Sequence, residues 1–71
     1  MNDKIKSDAF KFYLDLKKIN NNPLRINYGR NLITIKTYIN NKNKTLFYIK
    51  ENGDIFNNLK TRTIIGNIYN K

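Results

Sequence analysis

The sequence predicts an α+β fold: one small domain over residues 1–71, in α-β-β-β-α order, with a three-stranded antiparallel sheet and a helix packed on one face. Three observations lead there. Apolar residues near the start recur at helical spacings of three and four, and those from Leu24 to Lys50 alternate with a period of two. The polar breaks between the alternating runs are too short for crossovers, so neighbouring strands run antiparallel.

The first helix is expected from Asp3 to Asn20. Ile5, Ala9, Phe12, Leu16 and Ile19 fall on one stripe, and Tyr13 widens it. Asn2 or Asp3 caps its start, and Lys17 and Lys18 suit the negative end of the helix dipole. The run Asn20-Asn21-Asn22-Pro23 ends it, because the residue before proline avoids helical geometry. Phe10 and Leu14 lie off the stripe and read as ordinary apolar exposure.

Three strands follow. Leu24, Ile26 and Tyr28 alternate with Arg25 and Asn27, and Gly29 with Asn31 marks a turn. Ile33, Ile35, Thr37 and Ile39 then alternate with Leu32, Thr34, Lys36 and Tyr38. The tract Asn40-Asn41-Lys42-Asn43 reads as a second turn, with Lys42 and Lys44 in a loop. Thr45, Phe47 and Ile49 then alternate with Leu46, Tyr48 and Lys50 in the third strand. After the turn Glu51-Asn52-Gly53-Asp54, Asp54 is placed to cap a short second helix carrying Ile55, Phe56 and Leu59. Ile64, Ile65, Ile68 and Tyr69 suggest a last extended segment around Gly66.

A chain of 71 residues buries only about 60% of the surface its unfolded form exposes, so it leans on some external aid. Cysteine and histidine are absent, which removes disulfides and the common zinc sites and leaves a partner. Fourteen Lys and Arg against five Asp and Glu give a net charge of +9, which attracts polyanions. No long apolar run is present to favour a membrane. Residues 1–10 carry charges and no apolar core, so no signal peptide is expected. Asn, Lys, Ile and Tyr dominate and all have AT-rich codons, so compositional drift is weighed against selection as a source of part of the basicity.

Catalysis finds little to work with. A nucleophile needs a base, and only Asp3, Asp8, Asp15, Glu51 and Asp54 offer carboxylates. Asp8 and Asp15 share a helix face but stand about two turns apart, too far to act as a close pair. Gly29, Gly53 and Gly66 form no phosphate-binding motif, and Asn43-Lys44-Thr45 fits a glycosylation sequon of a kind that recurs by chance. The small basic pattern also resembles bacterial messenger-RNA-cleaving toxins, but those rely on a catalytic histidine. No enzymatic activity, cofactor, metal or small-molecule substrate is expected.

Several local motifs share one register. Lys4-Ile5, Phe12-Tyr13-Leu14 and Lys17-Lys18 are followed by Leu24-Arg25-Ile26 and Ile33-Thr34-Ile35-Lys36. Lys44-Thr45-Leu46-Phe47-Tyr48, then Leu59-Lys60 and Gly66, complete the series. In this the chain resembles the eukaryotic large-subunit ribosomal protein L thirty-eight family, whose closing helix carries the Leu-Lys pair. The departures are the sparse hairpin Asn27-Tyr28-Gly29-Arg30-Asn31, Ile64-Ile65 in place of two prolines, and Asp54-Ile55-Phe56-Asn57-Asn58 in the last helix. The resemblance implies a diverged member from an AT-rich eukaryotic genome, such as a microsporidian's. It also implies a structural, cytoplasmic constituent of the large ribosomal subunit, with ribosomal RNA and neighbouring ribosomal proteins as partners. The alternative is a small nucleic-acid-binding or inhibitor protein of a phage or mobile element in an AT-rich bacterium.

For RNA, phosphate and 2′-hydroxyl contacts dominate recognition. The candidate contacts are Lys17 and Lys18 at the helix end, Arg25 on the first strand, Arg30 at the first hairpin, Lys42 and Lys44, and Lys60 and Arg62 after the second helix. Arg25, Arg30 and Arg62 weigh more, since arginine resists a lysine-favouring drift and offers a bidentate fork to phosphate. Tyr28 and Tyr38 are weighed as base-stacking groups and read instead as core residues or cross-strand pairs. Phe12, Phe47 and Phe56 are assigned to the core.

Overall fold

A computed structural model describes residues 3–58, 60, 61 and 63–69. One helix, α1 (Asp3–Ile19), is followed by β1 (Leu24–Tyr28), β2 (Leu32–Ile39), β3 (Lys42–Lys50), β4 (Asp54–Phe56) and β5 (Ile64–Asn67). The strands form one antiparallel sheet in the order β1-β2-β3-β4-β5. The expected α-β-β-β-α order and three-stranded sheet are therefore corrected to α-β-β-β-β-β with five strands.

The correction lies after Gly53. Asp54, Ile55 and Phe56 do not open a second helix but form β4. Ile55 pairs with Ile49 and joins the core beneath α1, whereas its neighbour Phe56 pairs with Tyr48 on the other face. Adjacent residues buried on opposite faces are what a strand provides and one side of a helix does not. Asp54 does not cap a helix; its carboxylate accepts from Asn52 Nδ2 at 3.0 Å and from Asn67 Nδ2 at 2.8 Å. Gly53, at φ 91°, turns the chain into β4. A Cβ there would lie 2.5 Å from a Tyr69 ring carbon, so both its conformation and its space call for glycine. The Leu59 assignment and the Asn2 cap fall outside the described residues, and Ile64–Asn67 is a paired strand.

The core lies between α1 and one sheet face. Ile5 and Ala9 pack with Ile33, Ile35, Ile49 and Ile55, with Phe12, Tyr13, Leu16, Ile26, Phe47 and Ile68 around them. Phe12 meets Phe47 edge-on at 5.6 Å between ring centroids. Ile19, placed on the stripe by spacing, is the last residue of α1 and is 82% exposed. Tyr13 Oη donates to the Leu24 carbonyl at 2.9 Å and Thr37 Oγ1 donates to the Pro23 carbonyl at 3.0 Å, tying the connection after α1 to the sheet.

A β-bulge reorganises β3. Ile35 pairs with Phe47 but Lys36 pairs with Thr45, so Leu46 is an extra residue. Past it the alternation inverts: Thr45 turns to the face away from α1, and Lys44 shares the side of Thr37. The expected alternation of Thr45, Phe47 and Ile49 with Leu46, Tyr48 and Lys50 thus breaks at Leu46. Lys42 and Lys44 belong to β3 rather than a loop, because the turn is only Asn40–Asn41, both at positive φ (52° and 63°). That is the type I′ geometry of a two-residue hairpin, which asparagine tolerates.

Candidate nucleic-acid interface

Charge is unevenly placed along the chain. Residues 16–50 contain Lys17, Lys18, Arg25, Arg30, Lys36, Lys42, Lys44 and Lys50 and no acid. In residues 3–15 Lys4, Lys6 and Lys11 balance Asp3, Asp8 and Asp15. The excess therefore sits at the end of α1 and on β1, β2 and β3, which are contiguous in space.

Lys17 and Lys18 occupy the last turn of α1, both exposed, with Lys17 Nζ 5.5 Å from the Tyr13 ring centre. Arg25 lies exposed on β1, directly opposite Lys36 of β2. Like charges in that arrangement repel, and an anion bound between them removes the cost. Lys36 was missed by sequence reasoning; only the strand register brings it beside Arg25. Arg30 sits exposed in the β1–β2 turn, where Gly29 N donates to the Leu32 carbonyl at 2.8 Å. A Cβ on Gly29 would stand 2.6 Å from that oxygen, so glycine lets the turn close. Lys60 lies in the connection between β4 and β5, its amide donating to Asn58 Oδ1 at 2.8 Å, and it follows a strand rather than a helix. Arg62 lies outside the described residues.

The structure therefore gathers Arg25, Lys36, Lys42 and Lys44 around the β2–β3 hairpin, with Lys17 and Lys18 at the end of α1 that leads into β1. Lys60 belongs to the β4–β5 connection, outside that group. A groove of about 430 Å³ at the start of β1 is lined by Tyr13, Arg25, Asn27, Lys36, Tyr38 and Asn43 among others. On the face away from α1, Tyr48 and Phe56 stack on each other at 5.5 Å, and Lys50 Nζ lies 6.0 Å from the Phe56 ring. Phe56 is 3% exposed, so that aromatic pair is spent on itself rather than offered to bases. Phe56 is buried as expected of a core residue, but on the side opposite α1.

Asp8 and Asp15 both border another groove, of about 440 Å³, with Phe12, Ile55 and Ile68. Among the described residues no group of three or more acids is placed to hold a metal ion, and no helix is long and apolar enough to cross a membrane. No family model, curated protein or solved structure matches the chain.

Proposed function

We propose that this chain is a non-catalytic RNA-binding protein that works as a structural piece of a ribonucleoprotein, with the large ribosomal subunit as its assembly. One observation carries the reading: the acid-free stretch of residues 16–50, whose cations the fold assembles on three adjacent strands and the end of one helix. A charge placed this way, rather than scattered, is the electrostatic footprint of a polyanion partner. The ribosomal part of the reading draws on the family resemblance between Lys4 and Tyr48, whose motifs lie on α1, β1, β2 and β3. It draws nothing from the stretch after Gly53, where the family's closing helix has no counterpart.

Neutralising about six phosphates would make log K fall against log salt with a slope of about −5. Sedimentation of native extract tests the assembly. Co-migration with large subunits through moderate salt is the expected outcome, and a free or DNA-bound pool overturns it in favour of a phage or mobile-element protein.

A further inference from the structure

The β2–β3 hairpin projects beyond the strands on either side. β1 pairs with β2 only as far as Thr37, leaving Tyr38 and Ile39 past its end. β4 pairs only with Tyr48 and Ile49, so among the described residues β3 has no partner on that side from Lys42 to Phe47. The result is a two-stranded ribbon closed by Asn40–Asn41. The Leu46 bulge sits at its base, and bulges increase local twist.

The ribbon and its base together carry cations on both faces. Away from the side of α1 project Asn43 on the ribbon and Lys36 at its base, where Arg25 of β1 still pairs with it. Lys42 and Lys44 project to the other side, since the bulge has inverted their direction. The tip carries Asn40 and Asn41, and Tyr38 Oη lies 3.4 Å from Asn41 Oδ1. Without the bulge Lys44 would share the face of Lys36, and the ribbon would be charged on one side only.

We infer that this ribbon enters the groove of double-stranded RNA, its two basic faces meeting the phosphates of the two strands. The inference rests on the RNA-binding reading and names the element and the form of RNA. A one-sided patch would track a single backbone; cations on both faces of a narrow ribbon match a groove with a phosphate ridge on each side. Single-stranded recognition needs a run of exposed aromatic platforms; the exposed Tyr28 and Tyr38 stand on opposite sheet faces, and the Tyr48–Phe56 pair is already stacked on itself. Asparagine amides both donate and accept, as the 2′-hydroxyls that line the wide minor groove of A-form RNA do. Lysine supplies point charges that suit phosphate.

The test measures binding to a 20-base-pair RNA duplex, a single-stranded RNA of equal length and a DNA duplex of the same sequence. It compares the whole chain with a Lys42→Gln/Lys44→Gln double variant and a Lys4→Gln/Lys11→Gln control that removes the same charge elsewhere. All four positions are exposed, and equal urea midpoints establish that folding is kept. The expected result is preference for duplex RNA, about a tenfold loss in the hairpin variant with a salt slope shallower by about two, and a loss under about threefold in the control. Equal losses in the two variants, or binding to single strands or DNA as tight as to duplex RNA, overturn the groove assignment while RNA binding stands. An unaltered chain that binds no RNA overturns the RNA-binding reading and this inference together.

Discussion

Ile5, Ile33, Ile35 and Ile49 have no exposed surface, and they meet in one layer between α1 and the sheet. Truncating Ile35 to alanine should cost about 2–5 kcal/mol, against a total stability of about 4–10 kcal/mol for a chain of this length. Urea denaturation should find Ile35→Ala largely unfolded or barely folded, and Ile19→Ala unchanged within about 0.5 kcal/mol. Gly53→Ala should lose about 1–3 kcal/mol by the same measurement, since φ 91° strains an L-residue and the new methyl strikes the Tyr69 ring. Neither effect can be read from composition: Ile19 and Ile35 are the same residue type in periodic runs, and only packing separates them.

The β2–β3 hairpin shows local chemistry and tertiary context acting together. Its turn is legible in the asparagines, which accept positive φ, although the turn is shorter than the polar tract suggests. Asn41→Gly should preserve or raise the urea midpoint, because Asn-Gly is a favoured type I′ pair. The Arg25–Lys36 pair at the base of the ribbon sets stability against binding. Lys36→Glu would replace repulsion by attraction across the strands and should stabilise the fold by about 0.2–1 kcal/mol. The same change should weaken RNA binding in a filter assay. A variant that gains stability without losing affinity would remove Lys36 from the interface.

At the scale of the whole molecule, one helix covers one face of a five-stranded meander, and the extents are 32 × 26 × 23 Å. The Cα radius of gyration is 11.7 Å, close to the roughly 11 Å expected for this length. A small domain with a net charge of +9 repels itself, and a polyanion that binds only the folded form stabilises it by mass action. Thermal unfolding should therefore move upward with duplex RNA present, and the gain should shrink as salt rises. A melting temperature indifferent to RNA would count against the proposed function.

The sequence by itself determined α1, the three alternating runs and the basic, histidine-free composition, because each is written in neighbouring residues. Periods of three to four and of two are local properties, and so is a turn built on two asparagines. The tertiary structure decided the rest. Ile55 and Phe56 suit a helix start as well as a strand, and the exposed pairing edge of β3 settles them as β4. The bulge at Leu46 arises from how β3 aligns with β2, and it alone sends Lys44 to the side opposite Lys36. Which cations stand together is fixed by strand register, a long-range pairing that no single stretch of the chain records.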